Sequence, residues 1–206
     1  MARRGEVLRR HILDKAKELL LELGYERTSM DAVAARAETS KRSLYAHFPT
    51  KEVLFLAVVG YIDELFRDRM QTPAAYADEP IEAASLFCAR FLQMLQWETA
   101  VQTCHLGIEA ARQFPDASAQ LHAAVFGAST ASLASYLEED LGLDPARSAA
   151  LADDLLGATV YRFLPGLLLK VSPTHVDLPA PDAVAQQVDV DAIRQTAAAL
   201  LSAVAD

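Results

Sequence analysis

Apolar residues recur every three or four positions from Val7 to Leu23, which predicts a first helix over about 6–23. Gly24 follows at the point where a residue with positive φ commonly ends a helix. Thr28 stands three residues before Asp31, the spacing of a capping box. This pattern predicts that Thr28 opens a short second helix.

The next two helices are marked by hydroxyl residues at their starts. Ser40 is placed to cap a third helix over 41–47, which Phe48 and Pro49 end. Thr50 is placed to cap a long fourth helix that runs to about Gln71, before Thr72 and Pro73.

The remaining chain continues the helical pattern with few interruptions. Pro173, Pro179 and Pro181 predict a loop from about 171 to 187, and Asp189 leads into a last helix. The helices predicted before that loop cover about 81–98, 100–113, 116–140 and 145–169. In all, the pattern predicts about nine helices and no strand, an all-α fold.

Composition agrees with this fold class. Ala and Leu, both strong helix formers, occur 38 and 29 times, whereas Gly and Pro together number only 17. No apolar run approaches the roughly 18 residues of a membrane span, and charged residues interrupt any apolar core of a signal peptide. Two lone cysteines give no disulfide framework. We therefore expect a soluble protein of the reducing cytoplasm that does not bind membranes.

Charge is distributed unevenly along the chain. Residues 1–51 carry 11 basic and 7 acidic side chains, a net charge of +4, whereas the rest carries −13, for a total of −9. A small basic unit joined to an acidic body can approach a polyanion with one end only. Ordinary surface variation would explain the same numbers, so charge alone does not decide between the two.

Two short helices joined by a tight turn are typical of a helix-turn-helix. Here the segment from Thr28 to Ala37 is followed by Ser-Lys-Arg-Ser-Leu-Tyr-Ala-His-Phe at 40–48 and by Lys-Glu-Val-Leu at 51–54. This order resembles the N-terminal DNA-binding domain of the TetR family of transcriptional repressors over about residues 8–55. Beyond residue 60, only the helical layout and the length support the resemblance.

The chain departs from the commonest family pattern at Glu38 and Arg42, where glycine is frequent. Glu38 must either adopt a left-handed conformation at a cost of about 1 kcal/mol or more, or shift the turn. Arg42 lacks the backbone flexibility of a glycine and adds a cation that is expected to face DNA. The operator sequences of relatives with glycine at this position therefore do not transfer.

The resemblance and the physics of the duplex divide the DNA-binding residues between two tasks. Lys41, Arg42 and Ser43 lie in the first turn of the third helix and are predicted to contact bases. Phosphate contacts are predicted for Thr28, Tyr45, His47 and Lys51, partly because helix N-termini favour anions. Two alternatives stay open: Tyr45 could be a core aromatic, and Thr28 could serve only as a cap.

An enzyme is the main alternative from another class. His105 and Glu109 share a helix face, but no histidine follows a glutamate at the Glu-x-x-His spacing of di-iron bundles. Cys88 and Cys104 lack zinc-site spacing, and no glycine-rich phosphate loop occurs. We predict no catalytic activity, no metal and no cofactor.

The resemblance implies a homodimeric repressor with an operator-binding domain over 1–50 and an effector-binding and dimerisation domain over 51–206. Ligand binding would move the fourth helix and change the spacing of the two recognition helices. A regulator without a small-molecule effector, constitutive or controlled by a protein partner, remains the alternative.

Apolar stripes on the last two helices predict the dimer interface: one stripe must cover the body, and the other is expected to pair with a second subunit, as the resemblance implies. The alternative that both stripes are core within one chain stays open. The residues of the predicted interface are Leu151, Leu155, Thr159, Ile193, Ala197, Leu200, Leu201 and Val204.

Aromatic and soft side chains are spaced along the helices of the body, which favours a mainly apolar effector of drug-like size. The predicted walls of its pocket are Phe91, Met94, His105 and Tyr161. Three acidic residues, Asp63, Glu98 and Glu109, leave a cationic ligand possible.

Overall fold

The computed structural model describes residues 2–67, 69–180, 183–184 and 188–205, and its described part is all-α, as predicted. Within that part there is no strand, only an isolated bridge between Trp97 and His175. None of the helices searched is long and apolar enough to cross a membrane. The helices are α1 Ala2–Arg27, α2 Met30–Arg36, α3 Lys41–His47, α4 Lys51–Arg67, α5 Pro80–Leu95, α6 Glu98–Ala110, α7 Pro115–His122, α8 Ala128–Leu141, α9 Pro145–Thr159, α10 Leu164–Leu168 and α11 Val190–Ala205.

Side-chain caps fix the starts of several helices where the sequence predicts them. The Ser40 hydroxyl accepts the Ser43 N–H at 3.1 Å, and the Thr50 hydroxyl accepts the Val53 N–H at 3.1 Å. Asp189 accepts from the N–H of Ala192 at 3.0 Å at the start of α11. Each cap satisfies a backbone donor that the helix itself leaves free.

The cap predicted at Thr28 is wrong by one residue. Ser29 caps α2, its hydroxyl accepting the Ala32 N–H at 3.1 Å. Thr28 is only 2% exposed, and its hydroxyl donates to the Gly24 carbonyl at 2.8 Å. The hydroxyl therefore closes the end of α1 instead of opening α2.

Gly24 is not helical, with φ +80° and ψ 174°, so α1 is kinked at this residue and only a short helical segment, residues 25–27, follows it. The fourth helix is shorter than predicted and ends at Arg67 instead of Gln71.

Two of the long helices predicted for the body are interrupted. Between α7 and α8 the chain forms a π-helical turn at Ala123–Gly127. After α9, a 3₁₀ turn at Tyr161–Phe163 leads into α10, which has Pro165 in its first turn. Because proline has no N–H to donate to the carbonyl four residues earlier, a continuous helix over 145–169 would lose that bond.

The chain forms two compact units. The first combines the residues up to 65 with 102–124, and its core includes Ile12, Leu44 and Phe55. The second combines 66–101 with the residues from 125 onward, and in it α11 packs against α5 and α9. The functional division at residue 50 stays a prediction.

Most residues of the predicted dimer interface are buried within one chain, which agrees with the alternative that both stripes belong to the core of the subunit, and the interface itself stays a prediction. Six of them are buried in α9 and α11, which pack against each other and against α8 and α5. They are Leu151, Leu155, Thr159, Ile193, Ala197 and Leu201. Leu200 is partly exposed, and the side chain of Val204 lies outside the described residues.

Candidate nucleic-acid interface

Helices α2 and α3 are joined by a turn that contains a left-handed residue. Glu38 has φ +49°, its N–H donates to the Ala35 carbonyl at 3.1 Å, and the Thr39 N–H donates to the Ala34 carbonyl at 3.0 Å. These bonds close the end of α2. Of the two outcomes expected for a non-glycine here, the chain adopts the left-handed conformation.

Helix α3 has one buried and one exposed face. Leu44 is fully buried, and Phe48, just after the helix, is buried with it. Arg42 is exposed on the opposite face, and Tyr45 is 46% exposed, so the alternative that Tyr45 is a core aromatic is wrong. His47 is partly exposed. The exposed face combines cationic, hydroxyl and aromatic groups.

Lys41 is paired with an acidic residue of α2. Its Nζ lies 2.8 Å from Asp31 Oδ2, and both side chains are about two-thirds exposed, at 65% and 64%. The hydrogen bond to Asp31 raises the pKa of Lys41. A base contact by Lys41 would have to compete with this carboxylate.

Lys51 lies at the first position of α4, beside the end of α1. Its Nζ donates to the Glu26 carbonyl at 3.2 Å and lies 4.2 Å from the centre of the Tyr25 ring. These contacts hold the ammonium group at a helix N-terminus, where anions are favoured. The predicted phosphate contact at Lys51 fits this geometry, whereas the buried hydroxyl of Thr28 does not fit such a contact.

Two residues of α1 that sequence analysis did not single out support the helix-turn-helix. The His11 Nε2 lies 3.2 Å from the Ala37 carbonyl, which ends α2, and the Arg9 guanidinium lies 5.3 Å from the centre of the Phe48 ring. Nothing in the local pattern of α1 distinguishes these side chains from other surface residues. Only the packing of α1 against the turn reveals their role.

In the second unit, the structure brings together two residues of the predicted effector site, Phe91 and Tyr161. The Tyr161 hydroxyl and the Thr130 hydroxyl are 3.0 Å apart. The Tyr161 ring lies 6.0 Å from Phe91 and 6.1 Å from Phe126, and burial raises the pKa of Tyr161. Phe91 and Met94 are fully buried. His105 belongs to the first unit.

A buried guanidinium in the second unit also escaped sequence analysis. Arg90 donates to the Arg69 carbonyl at 3.1 and 3.2 Å, to the Pro179 carbonyl at 2.8 Å and to Gln93 Oε1 at 2.8 Å. Because these acceptors are neutral, desolvation dominates and lowers the pKa of Arg90. The sequence does contain a signal for this buried guanidinium, because Arg90 lies within an apolar stretch of α5.

The N-terminal segment of the chain is similar in sequence to known regulatory proteins. Residues 12–58 match the family model described as bacterial regulatory proteins, tetR family. The HTH-type transcriptional regulator TcmR of Streptomyces glaucescens is 32% identical over 77 residues, which cover 37% of this chain and 34% of TcmR. The alignment thus spans about a third of the length of this curated relative.

The whole fold is similar to solved structures. A TetR-family transcriptional regulator from Mesorhizobium loti superposes with a TM-score of 0.70 at 21% identity, over 97% of this chain and 96% of that one. The flavonoid-responsive regulator FrrA superposes with a TM-score of 0.67 at 25% identity, over 96% and 94%.

Proposed function

We propose that this chain, whose residues 12–58 match the family model described as bacterial regulatory proteins, tetR family, is a transcriptional regulator that binds operator DNA as a homodimer. Its default action is repression, relieved when a small, mainly apolar molecule binds the C-terminal domain. The observation that carries the proposal is the exposed polar face of α3, held by a buried Leu44 and Phe48 within a helix-turn-helix.

The exposed residues divide into base and phosphate contacts. Arg42 projects from the first turn of α3, the part of a recognition helix that enters the major groove, and its guanidinium suits a guanine edge. Lys51 at the start of α4 suits a phosphate. Tyr45 and His47, exposed and partly exposed, suit further phosphate contacts. Ser43 is partly exposed but lies against the Ser40 hydroxyl, so it must exchange that contact for a base.

Selection of bound duplexes from a random pool tests the DNA-binding proposal. Wild type should enrich a sequence with two related half-sites, about one or more helical turns apart. Arg42→Ala should relax the preference at one base position of each half-site at a cost of about 1–3 kcal/mol. Lys51→Ala should weaken binding to all sequences and reduce the salt slope by about 1. Binding no tighter than to random DNA would refute the proposal.

Because most of the predicted interface residues of α9 and α11 are buried within one chain, the proposed homodimer requires a different interface. The outer faces of α9 and α11 offer one, because Gly157 and Ala199 are exposed there and Phe163 is 41% exposed beside them. Ala158 and Phe163 also line a groove of about 350 Å³ between these helices. Small residues allow helices to approach closely, and an exposed aromatic ring next to a groove favours association.

Support for an apolar effector comes from the second unit. Tyr161 is surrounded by Phe91 and Phe126 and carries one polar partner, Thr130, a combination typical of sites for small aromatic molecules. FrrA, which shares 25% identity over nearly the whole chain, is described as flavonoid-responsive. A polyphenolic aromatic compound is therefore the ligand class we propose.

A thermal-shift panel tests the effector. Flavonoids should raise the melting temperature and release bound DNA, whereas phosphorylated sugars should do neither. Tyr161→Phe, which keeps the ring and removes the hydroxyl, should weaken the response without changing DNA affinity in the absence of ligand. If no small molecule in the panel shifts the melting temperature or releases DNA, the alternative is favoured, which is a regulator without a small-molecule effector that is constitutive or controlled by a protein partner.

A further inference from the structure

Glu26 is held through both of its backbone groups. Its N–H donates to Oε1 of Glu109, in the last turn of α6, at 3.1 Å, and its carbonyl accepts from Nζ of Lys51 at 3.2 Å. A single residue thus connects the end of α6 with the first residue of α4. All three residues belong to the first compact unit.

The residues around Glu109 leave room for its carboxylate to make this contact. A carboxylate in the last turn of a helix is disfavoured by the helix dipole, so its position needs another explanation. A Cβ built on Gly24 would lie 2.0 Å from Oε2 of Glu109, and Gly24 has φ +80°. The glycine therefore provides both the backbone turn and the space for the carboxylate.

Aromatic packing supports the same turn. The Tyr25 ring lies 4.8 Å from Phe114 and 4.9 Å from Phe55, and it carries the Lys51 ammonium on its face at 4.2 Å. Glu26 directly follows Tyr25 in the chain, so the contacts of the Tyr25 ring support the same turn that Glu109 binds through the Glu26 N–H.

We infer that Glu109 is a positioning residue for DNA binding, which holds the backbone of Glu26 so that the Glu26 carbonyl keeps Lys51 at the N-terminus of α4 to contact a phosphate. The inference rests on the proposed function, since it requires that Lys51 bind DNA. Glu109 itself does not touch DNA and acts through Glu26.

Salt titration of operator binding tests this role. On a duplex selected by wild type, Glu109→Ala should weaken binding roughly threefold to tenfold, the effect of losing one hydrogen bond. It should also reduce the salt slope by up to about 1, as Lys51→Ala does. Glu109→Gln keeps an acceptor oxygen and should bind like wild type. The double variant should have the slope of Lys51→Ala alone, because the two residues act on one contact.

Asp116→Ala, which removes an exposed carboxylate from the same unit, controls for the change in net charge and should leave the slope at its wild-type value. Amide exchange gives a second measurement that is independent of DNA. The Glu26 N–H should be protected in wild type and in Glu109→Gln, and should exchange faster in Glu109→Ala.

The outcomes separate the two proposals. If wild type selects a duplex and Lys51→Ala lowers the slope while Glu109→Ala does not, the role of Glu109 is refuted and DNA binding stands. Additive slopes in the double variant, or an unprotected Glu26 N–H in wild type, also refute it. If wild type selects no duplex, both proposals fail.

Discussion

Glu38 holds a left-handed backbone conformation, with φ +49°, in the turn before the recognition helix. Because its Cβ crowds the following carbonyl, this conformation costs an L-residue about 1–2 kcal/mol. Glycine removes that cost but loses about 0.4–1 kcal/mol through the greater freedom of its unfolded chain. Glu38→Gly should therefore raise the free energy of unfolding by about 0.5–1 kcal/mol.

Urea unfolding followed by circular dichroism measures this difference. Glu38→Ala is the matched control, since it removes the carboxylate and keeps the Cβ, and it should not stabilise the protein. Equal stabilities of the glycine and alanine variants would show that the turn stores no strain at this position.

Asp31 limits the positive charge on the exposed face of α3, which is proposed to bind DNA, because its carboxylate is 2.8 Å from Lys41 Nζ. Asp31→Asn should free the ammonium group for the duplex and make the dependence of binding on log salt steeper by about 0.9, the value of one phosphate contact. Affinity at low salt should rise with it. Fluorescence anisotropy of a labelled operator at several salt concentrations measures both quantities.

The companion variant is Lys41→Gln, which removes the cation. If Asp31 acts through Lys41, adding Asp31→Asn to Lys41→Gln should steepen the slope much less than it does in wild type. An equal effect in both backgrounds would assign the change to general charge instead of the pair.

At the scale of elements, one ion pair connects the first turn of α5 with α11. Arg194 Nε lies 2.5 Å from Glu82 Oε2, and its Nη2 lies 2.9 Å from Oε1, while Nη1 binds Asp191. The hydrogen bond to Arg194 lowers the pKa of Glu82 below its ordinary value of 4.5. A group whose pKa is depressed on folding stabilises the fold while it is ionised.

The contribution of Glu82 should thus be complete above about pH 4.5 and disappear as the pH falls through its lower folded pKa. Glu82→Gln should be less stable than wild type at pH 7, and the difference should disappear at a pH below the folded pKa of Glu82. The difference at pH 7 will be small, because both side chains are partly exposed to solvent. Asp154→Asn, at an exposed position of α9, should match wild type at both values. A gap that persists at the lower pH would refute the linkage.

At the scale of the whole molecule, the proposed dimer places the outer face of α9 against a second subunit. A Cβ at Gly157 would meet no atom within 4 Å in the single chain. Gly157→Arg should therefore leave the fold of the subunit intact and convert the dimer to monomers. Operator affinity should fall as well, because two recognition helices no longer bind as one unit.

Sedimentation velocity at micromolar concentration checks this prediction, and wild type should sediment as a dimer without DNA. Ala131→Arg, at an exposed position of α8, adds the same charge elsewhere and should remain dimeric. A dimeric Gly157→Arg would place the interface on another face, and a monomeric wild type would refute the dimer itself.

The amino-acid sequence by itself determined the fold class, the short α2 and α3, and most helix starts. Periodicity and caps act within a few residues, and the bonds at Ser40, Thr50 and Asp189 form wherever those residues precede a helix. The tetR-like order of residues in the first 58 positions is also local. This explains why the sequence revealed the helix-turn-helix and predicted that Arg42 and Tyr45 lie on its exposed face.

Tertiary structure decided the features that local sequence patterns cannot distinguish, such as the partner of an apolar helix face and the choice between two possible caps. An apolar stripe indicates burial without naming its partner, and the folded chain buries most of the stripes of α9 and α11 within the subunit, where these helices pack against α8, α5 and each other. Thr28 and Ser29 are both able to cap a helix, and the packing of Thr28 against the end of α1 selected Ser29. Contacts such as Glu109 with Glu26 join residues 83 positions apart, and only the folded chain brings them together.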